Sequence, residues 1–112
     1  YRRHCRAIAE QLLNEIEDYH RAGVIVACIL GIEGSPTCGV EWTTKGWGEK
    51  SEKTRGKGIL IQELQTLLEQ KNLNIPTIGI PEKPKYGDLG EALKRVEEAI
   101  EEAQSRRRKT YL

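Results

Sequence analysis

The run Val24-Ile25-Val26-Ala27-Cys28-Ile29-Leu30 constrains the fold of this chain more than any other segment. It is apolar without interruption, rich in β-branched residues and followed by Gly31. A strand with one face in water alternates apolar and polar residues, so an unbroken run is typical of a strand covered on both faces of a parallel sheet. We therefore expect residues 24–30 to form a central strand of an α/β fold.

Helical and strand patterns on both sides of this run complete the secondary-structure prediction. Apolar residues recur at helical spacing over residues 3–20 and again over residues 59–71. Residues 75–80 are predicted as a second short strand. Asp88 with Glu91 three residues later predicts the start of a last helix.

The order of these elements is that of half a doubly wound α/β fold. We expect residues 1–112 to form a single domain, a partial Rossmann-like three-layer fold with a parallel sheet. Residues 31–58 are expected to form a long functional loop, and residues 81–87 a linker to the last helix. Two strands cannot cover three helices, so N-terminal strands are expected to be missing and the chain to be the C-terminal part of a longer one. A second copy, paired through the open sheet edge in a homo-oligomer, is the other source of a strand.

Charge and composition argue against two classes of partner. Lysine and arginine number 18 against 17 aspartates and glutamates, a net charge of +1 that gives no field to attract nucleic acid. No apolar run approaches the roughly 18 residues needed to cross a membrane. Three cysteines, an odd number without paired spacing, and no apolar signal segment predict a cytoplasmic protein with reduced or metal-bound thiols.

The segment Gly34-Ser35-Pro36-Thr37-Cys38-Gly39, named here the Cys38 loop, follows the predicted buried strand. In open α/β sheets, ligands bind beyond the carboxyl ends of the strands. Ser35 and Thr37 offer hydroxyl groups, and Cys38 lies among backbone amides that favour a thiolate, which is also the form that binds metals. A structural turn with an incidental cysteine is equally compatible with the composition and spacing.

Four segments carry a resemblance to a known family. The resemblance covers roughly residues 1–82, and the last helix adds nothing diagnostic. They resemble the DUF523-type family, which includes the thiouracil desulfidases, and especially its shorter desulfidase branch. The segments are Tyr1-Arg2-Arg3-His4-Cys5-Arg6, Gly31 through Val40, Gly46-Trp47-Gly48 and Gly56-Lys57-Gly58-Ile59.

The resemblance implies an enzyme that removes sulfur from a thiocarbonyl compound such as a thiolated nucleobase. In the family, three cysteines hold a 4Fe-4S cluster, and one iron takes the sulfur from the substrate. Only Cys38, with Gly39 beside it, falls on a cofactor-binding position of the family, and the other two ligands would precede Tyr1. The resemblance therefore implies a cluster in the full-length protein and no activity for residues 1–112 alone.

Each of the other polar and sulfur-containing residues has either a functional or a purely structural interpretation. Ser35 and Thr37 would orient the substrate or hydrogen-bond to it. Glu41 would act as an acid or base, although a single carboxylate on a polar segment is usually only solvated. Cys5 and Cys28 are expected to pack in the core rather than to replace the missing ligands.

Aromatic residues and glycines near the loop are the remaining candidates for the site. Trp42 and Trp47 would stack on a flat heteroaromatic substrate, or would close the loop over the core. Gly56 and Gly58 would let backbone amides approach an anion, or would simply allow the chain to enter the following helix. The second interpretation of the chain is a cluster-free α/β module that binds a nucleotide-like or anionic small ligand at the strand ends.

Overall fold

The computed structural model describes residues 1–46 and 48–111 and has an α/β fold. A small parallel sheet and a separate antiparallel pair of strands accompany three helices in this part of the chain. Short 3-10 helices lie at Gly48–Lys50 and Pro84–Tyr86. The longer elements are α1 Arg2–Arg21, β1 Ile29–Ile32, β2 Trp42–Lys45, β3 Glu52–Arg55, α2 Ile59–Gln70, β4 Thr77–Ile80 and α3 Leu89–Tyr111.

The first two helices pack against each other through the apolar stripes that the sequence predicts. The hydrophobic cluster between them consists of Ala9, Leu13, Ile16, Leu64 and Leu68, all buried. Helical spacing places these residues on one face of each helix, and burial of that face stabilises both helices. The predicted helices over residues 3–20 and 59–71 are therefore confirmed, with small differences at their ends.

An ion-pair group joins the same two helices at one end of the cluster. The buried Glu63 of α2 accepts hydrogen bonds from Arg2 at 2.9 Å and from Arg6 at 3.3 Å. The guanidinium groups of Arg2 and Arg6, in that order of effect, lower the pKa of Glu63 below its ordinary value of 4.5. This group fixes the start of α1 against the start of α2.

Strands β1 and β4 pair in parallel, with Leu30 beside Ile78. Ile29 packs against the α1–α2 cluster, so the alternation of side chains places Leu30 and Ile78 on the opposite face. There α3 contacts β4. Ile78 is 5% exposed whereas Leu30 is 54% exposed, so α3 covers the β4 half of this face and leaves the β1 half open.

The prediction of a central strand over residues 24–30 is wrong in its bounds and its surroundings. Residues 24–28 belong to no strand, and β1 is one of only two strands in its sheet, rather than a strand covered on both faces. Val26 packs against the α1–α2 cluster, while Val24 and Leu30 are exposed. β-Branched residues favour an extended chain, but a ladder forms only where a partner lies alongside, and β4 pairs only with residues 29–32.

The segment predicted as a long loop, residues 31–58, contains regular structure. Strands β2 and β3 form an antiparallel hairpin in which Trp42 pairs with Arg55 and Lys45 with Glu52. The strands found in addition to the two predicted ones, β2 and β3, thus come from within this segment. They form a sheet of their own and do not extend the β1–β4 pair.

The connection to the last helix is short and partly ordered into a turn. Tyr86, in the predicted linker over residues 81–87, is buried. The Asp88 carboxylate accepts a hydrogen bond from the amide of Gly90 at 3.3 Å, as a residue at a helix start does. Across the described residues, no helix is long and apolar enough to cross a membrane.

Candidate functional site

The Cys38 loop lies directly beyond the carboxyl end of β1 and is closed by its own hydrogen bonds. The hydroxyl oxygen of Ser35 accepts hydrogen bonds from the amides of Thr37 at 3.2 Å and Cys38 at 3.1 Å. The amide of Gly39 donates to the carbonyl of Ser35 at 3.1 Å. Ser35 therefore fixes the backbone that carries Cys38, as hydroxyl side chains do in tight turns.

The Cys38 thiol lies at the free edge of β1. Its sulfur accepts a hydrogen bond from the amide of Ile32 at 3.5 Å. The amides of Ile29 and Glu33 donate to carbonyls of the β4 segment, so the amide of Ile32, between them, points to the opposite edge. The partly exposed Cys38 thus stands where a ligand at the end of the sheet would meet it.

The other two cysteines lie elsewhere. Cys5 is 1% exposed on the packed face of α1, as expected for a core residue. Cys28 precedes β1 and therefore stands about 13 Å along the strand from Ile32. It is only partly buried, in contrast to its expected place in the core, and this burial raises the pKa of its thiol.

A cluster held by three cysteines does not fit the described residues alone. Cys5 is buried on α1, Cys28 precedes β1 and Cys38 follows it, and no group of three His, Cys, Asp or Glu side chains in residues 1–46 and 48–107 is arranged to hold a metal ion. Cys38 alone has the position and access of a ligand at the sheet end.

Helix α2 begins against the Cys38 loop. The amides of Ile59 and Leu60 donate to the carbonyls of Pro36 at 3.1 Å and Thr37 at 3.0 Å. These amides of the first helical turn are therefore used to hold the loop. The Thr37 hydroxyl hydrogen-bonds to the hydroxyl of Tyr1, which ties the loop to the start of α1 as well.

The two glycines proposed for anion binding also serve the loop. The amide of Gly56 donates to the carbonyl of Glu41, and that of Gly58 to the carbonyl of Gly39, both at 2.8 Å. A Cβ atom at residue 58 would stand 2.3 Å from the carbonyl oxygen of Thr37, so the close approach of helix and loop requires glycine there. Both amides are thus occupied within the chain.

Hydroxyl groups of the hairpin hold the other side of the loop. Thr43 donates to the carbonyl of Ser35 at 3.0 Å, and Thr44 donates to the carbonyl of Gly34 at 2.6 Å. The Lys53 ammonium also donates to the carbonyl of Gly34, at 3.1 Å. The loop is therefore fixed from two sides, by α2 and by the hairpin.

The aromatic and acidic candidates lie at the entry to the hairpin. The Trp42 ring lies 5.7 Å from the ring of Tyr86, and the Arg55 guanidinium carbon lies 4.5 Å from the Trp42 ring centre. Trp42 thus packs within the chain, although it remains partly exposed. Glu41 is exposed, and Trp47 lies outside the described residues.

A buried carboxylate next to the loop is absent from the sequence-based predictions. Glu33 is 5% exposed and accepts hydrogen bonds from the amides of Val40 at 2.7 Å and Glu41 at 3.0 Å. Its carboxyl group also lies against Gly79 of β4. Glu33 thus joins the end of β1 to the hairpin and to β4. The sequence does contain one indication of this role, because Glu33 is an acidic residue shortly after the apolar run, at the end of the strand where ligands bind in α/β sheets.

A cleft of about 600 Å³ opens on the side of the loop that faces the hairpin and the start of α2. Residues from the loop, from β2 and from the starts of α1 and α2 line it, among them Pro36, Lys45, Lys57, Ile59, Tyr1 and Arg2. A concave space of this size is typical of small-molecule sites.

Chemically, the described region offers a partly exposed thiol, a buried carboxylate and a cleft lined by basic residues, held together by backbone hydrogen bonds. Comparisons with protein-family models, with curated proteins and with solved structures give no match to this chain.

Proposed function

We propose that this chain contributes part of the site of an iron-sulfur-dependent desulfidase, an enzyme that removes sulfur from a thiocarbonyl compound such as a thiolated nucleobase. The single observation that carries the proposal is the position of the Cys38 sulfur, partly exposed at the carboxyl end and free edge of β1. Thiolates are the usual ligands of iron-sulfur clusters. The resemblance of the Cys38 loop to the DUF523-type family supports the same chemistry.

In this proposal the 4Fe-4S cluster belongs to the full-length protein, and Cys38 is the ligand that this chain supplies. Cys5 is buried on α1 and Cys28 lies before β1, and no three His, Cys, Asp or Glu side chains of the described residues could hold a metal ion together, so the remaining ligands would lie outside the described residues. Residues 1–112 alone are then expected to be inactive.

The proposed roles of the neighbouring residues follow from their contacts. Ser35 positions Cys38 through the hydrogen bond to its amide. Thr37, whose hydroxyl already bonds to Tyr1, would orient the substrate. The exposed carboxylate of Glu41 is the candidate acid or base, and the partly exposed ring of Trp42 is the candidate stacking surface.

We also propose that the β1–β4 pair belongs to a larger, doubly wound sheet. Within the described residues no strand pairs with the edge of β1 opposite β4, where the Ile32 amide donates to the Cys38 sulfur, and the side chains of Leu30 and Ile32 are exposed. A further strand would pair with the part of that edge that the Cys38 loop leaves open, whether it comes from a longer chain or from a second copy in a homo-oligomer. The cysteines are free, and the reducing cytoplasm, the proposed location, would keep them free.

Replacement of Cys38 by serine in the full-length protein tests the proposed function. After anaerobic reconstitution with iron and sulfide, the Cys38→Ser variant should lose the visible absorbance of the cluster and the release of sulfide from 2-thiouracil, because a serine oxygen is a poor substitute for a thiolate. The Cys28→Ser variant is the matched control and should keep both. A Cys38→Ser variant with unchanged iron content and activity would contradict the proposal.

The second candidate function is a cluster-free module that binds a nucleotide-like or anionic ligand. The specific observation in its favour is the cleft beside the loop, whose lining residues include Arg2, Lys45 and Lys57. The cleft does not involve the Cys38 sulfur, so this function and the first are compatible in one protein.

A further inference from the structure

The cleft beside the Cys38 loop is lined by two lysines whose ammonium groups form no ion pair in the described part of the chain. Its lining residues include no aspartate or glutamate. The Lys57 ammonium donates to the neutral side chain of Gln65 at 2.7 Å. Within residues 1–46 and 48–107, neither Lys45 nor Lys57 forms an ion pair, although Glu52 lies opposite Lys45 in the hairpin.

The third basic residue of the cleft differs from these lysines. Arg2 donates to Glu63 at 2.9 Å and to Gln62 at 3.0 Å, so its charge is largely used in holding α1 against α2. The two lysines are therefore the groups available to an anionic ligand. Both are exposed, which lets their side chains turn toward the cleft.

Apolar and aromatic groups line the same cleft. Pro36 of the loop and Ile59 of α2 line it together with the Tyr1 side chain, which bonds to the Thr37 hydroxyl. A planar ring buried against such groups gains hydrophobic and stacking energy. Thr44 and Gln62 also line the cleft, and their side chains donate hydrogen bonds to the carbonyls of Gly34 at 2.6 Å and Lys57 at 2.8 Å.

We propose that this cleft binds a nucleoside monophosphate or a chemically similar ring-bearing phosphomonoester. The phosphate lies between Lys45 and Lys57, and the ring lies against Pro36, Ile59 and Tyr1. A phosphomonoester carries a charge of about −1.5 to −2 at pH 7, which matches two ammonium groups. The inference rests on the second candidate function above, for which it names the ligand class and the site, and it requires no cluster.

Titration calorimetry of the chain with uridine monophosphate at low salt tests this inference. The variant that carries both Lys45→Gln and Lys57→Gln should bind about tenfold more weakly, since each exposed ion pair contributes a few-fold to affinity. The matched control is Lys94→Gln on α3, exposed and outside the cleft, which should bind as the wild type does. Uridine, which lacks the phosphate, should bind more weakly than its monophosphate, and added salt should reduce the difference.

Absence of uridine monophosphate binding by the wild type, or equal binding by the double lysine variant, would overturn the inference. Circular dichroism of each variant establishes that the fold is retained. The Cys38→Ser variant should bind uridine monophosphate normally, because the cleft lining does not include Cys38. Loss of cluster chemistry and loss of ligand binding are thereby distinguished.

Discussion

Replacement of Gly79 by alanine tests how firmly the Glu33 carboxylate is held. A Cβ atom at residue 79 would stand 2.3 Å from the carboxyl carbon of Glu33 and 2.6 Å from each of its oxygens. Atoms cannot share that space. The end of a glutamate side chain moves more easily than a strand, so we expect Gly79→Ala to displace the carboxylate from the amides of Val40 and Glu41.

The expected loss of folding stability follows from the hydrogen bonds to Glu33 that are lost. Hydrogen bonds to a charged group contribute about 1.5–3 kcal/mol each, and the exposed Glu41 can turn its amide partly to water, so we assign about 2–3 kcal/mol to the displacement. Alanine in place of glycine recovers about 0.4–1 kcal/mol, because it restricts the unfolded chain. Gly79→Ala should therefore destabilise the protein by about 1–2.5 kcal/mol.

A double-mutant cycle separates this mechanism from a general intolerance of alanine in β4. In a Glu33→Ala background no carboxylate remains to be displaced, so Gly79→Ala should be neutral or slightly stabilising. Urea unfolding of the four proteins, followed by circular dichroism, gives a coupling energy that we expect to be about 2 kcal/mol. Additivity of the two substitutions within about 0.5 kcal/mol would refute the reasoning.

Two further predictions concern titrating groups. In a Cys38→Ser variant, alkylation of Cys28 followed by mass spectrometry should reach half its maximal rate above pH 9.0, the ordinary pKa of the thiol, because burial raises the pKa of Cys28. The buried Cys5 should react only on unfolding, and early labelling of Cys5 would contradict the packing of α1. Glu63 has a lowered pKa, so its stabilising effect is complete above its ordinary pKa of 4.5 and is lost as the pH falls through the lowered value. The stability difference between the wild type and Glu63→Gln should shrink from about pH 6 to about pH 3, and an equal difference at both pH values would exclude this linkage.

The sequence alone determined the helices, because helical periodicity depends on side chains that are neighbours along the chain. The stripe with Ala9, Leu13 and Ile16 predicts α1 almost to its ends. The position of the Cys38 loop behind an apolar run was predictable in the same way. Its glycines and hydroxyl residues are local signals of a turn at a strand end.

Only the tertiary structure decided where strands pair and which polar groups are buried. β1 is limited to residues 29–32 because β4 lies alongside those residues alone. The hairpin strands, Trp42–Lys45 and Glu52–Arg55, are short and mostly polar, so they lack the hydrophobic alternation that would predict a strand from the sequence. Hydrogen bonds from Thr43 and Thr44 to the Cys38 loop hold the hairpin in place. Such contacts, like those that bury Glu33, depend on backbone groups brought together by folding, which residue types along a chain do not reveal.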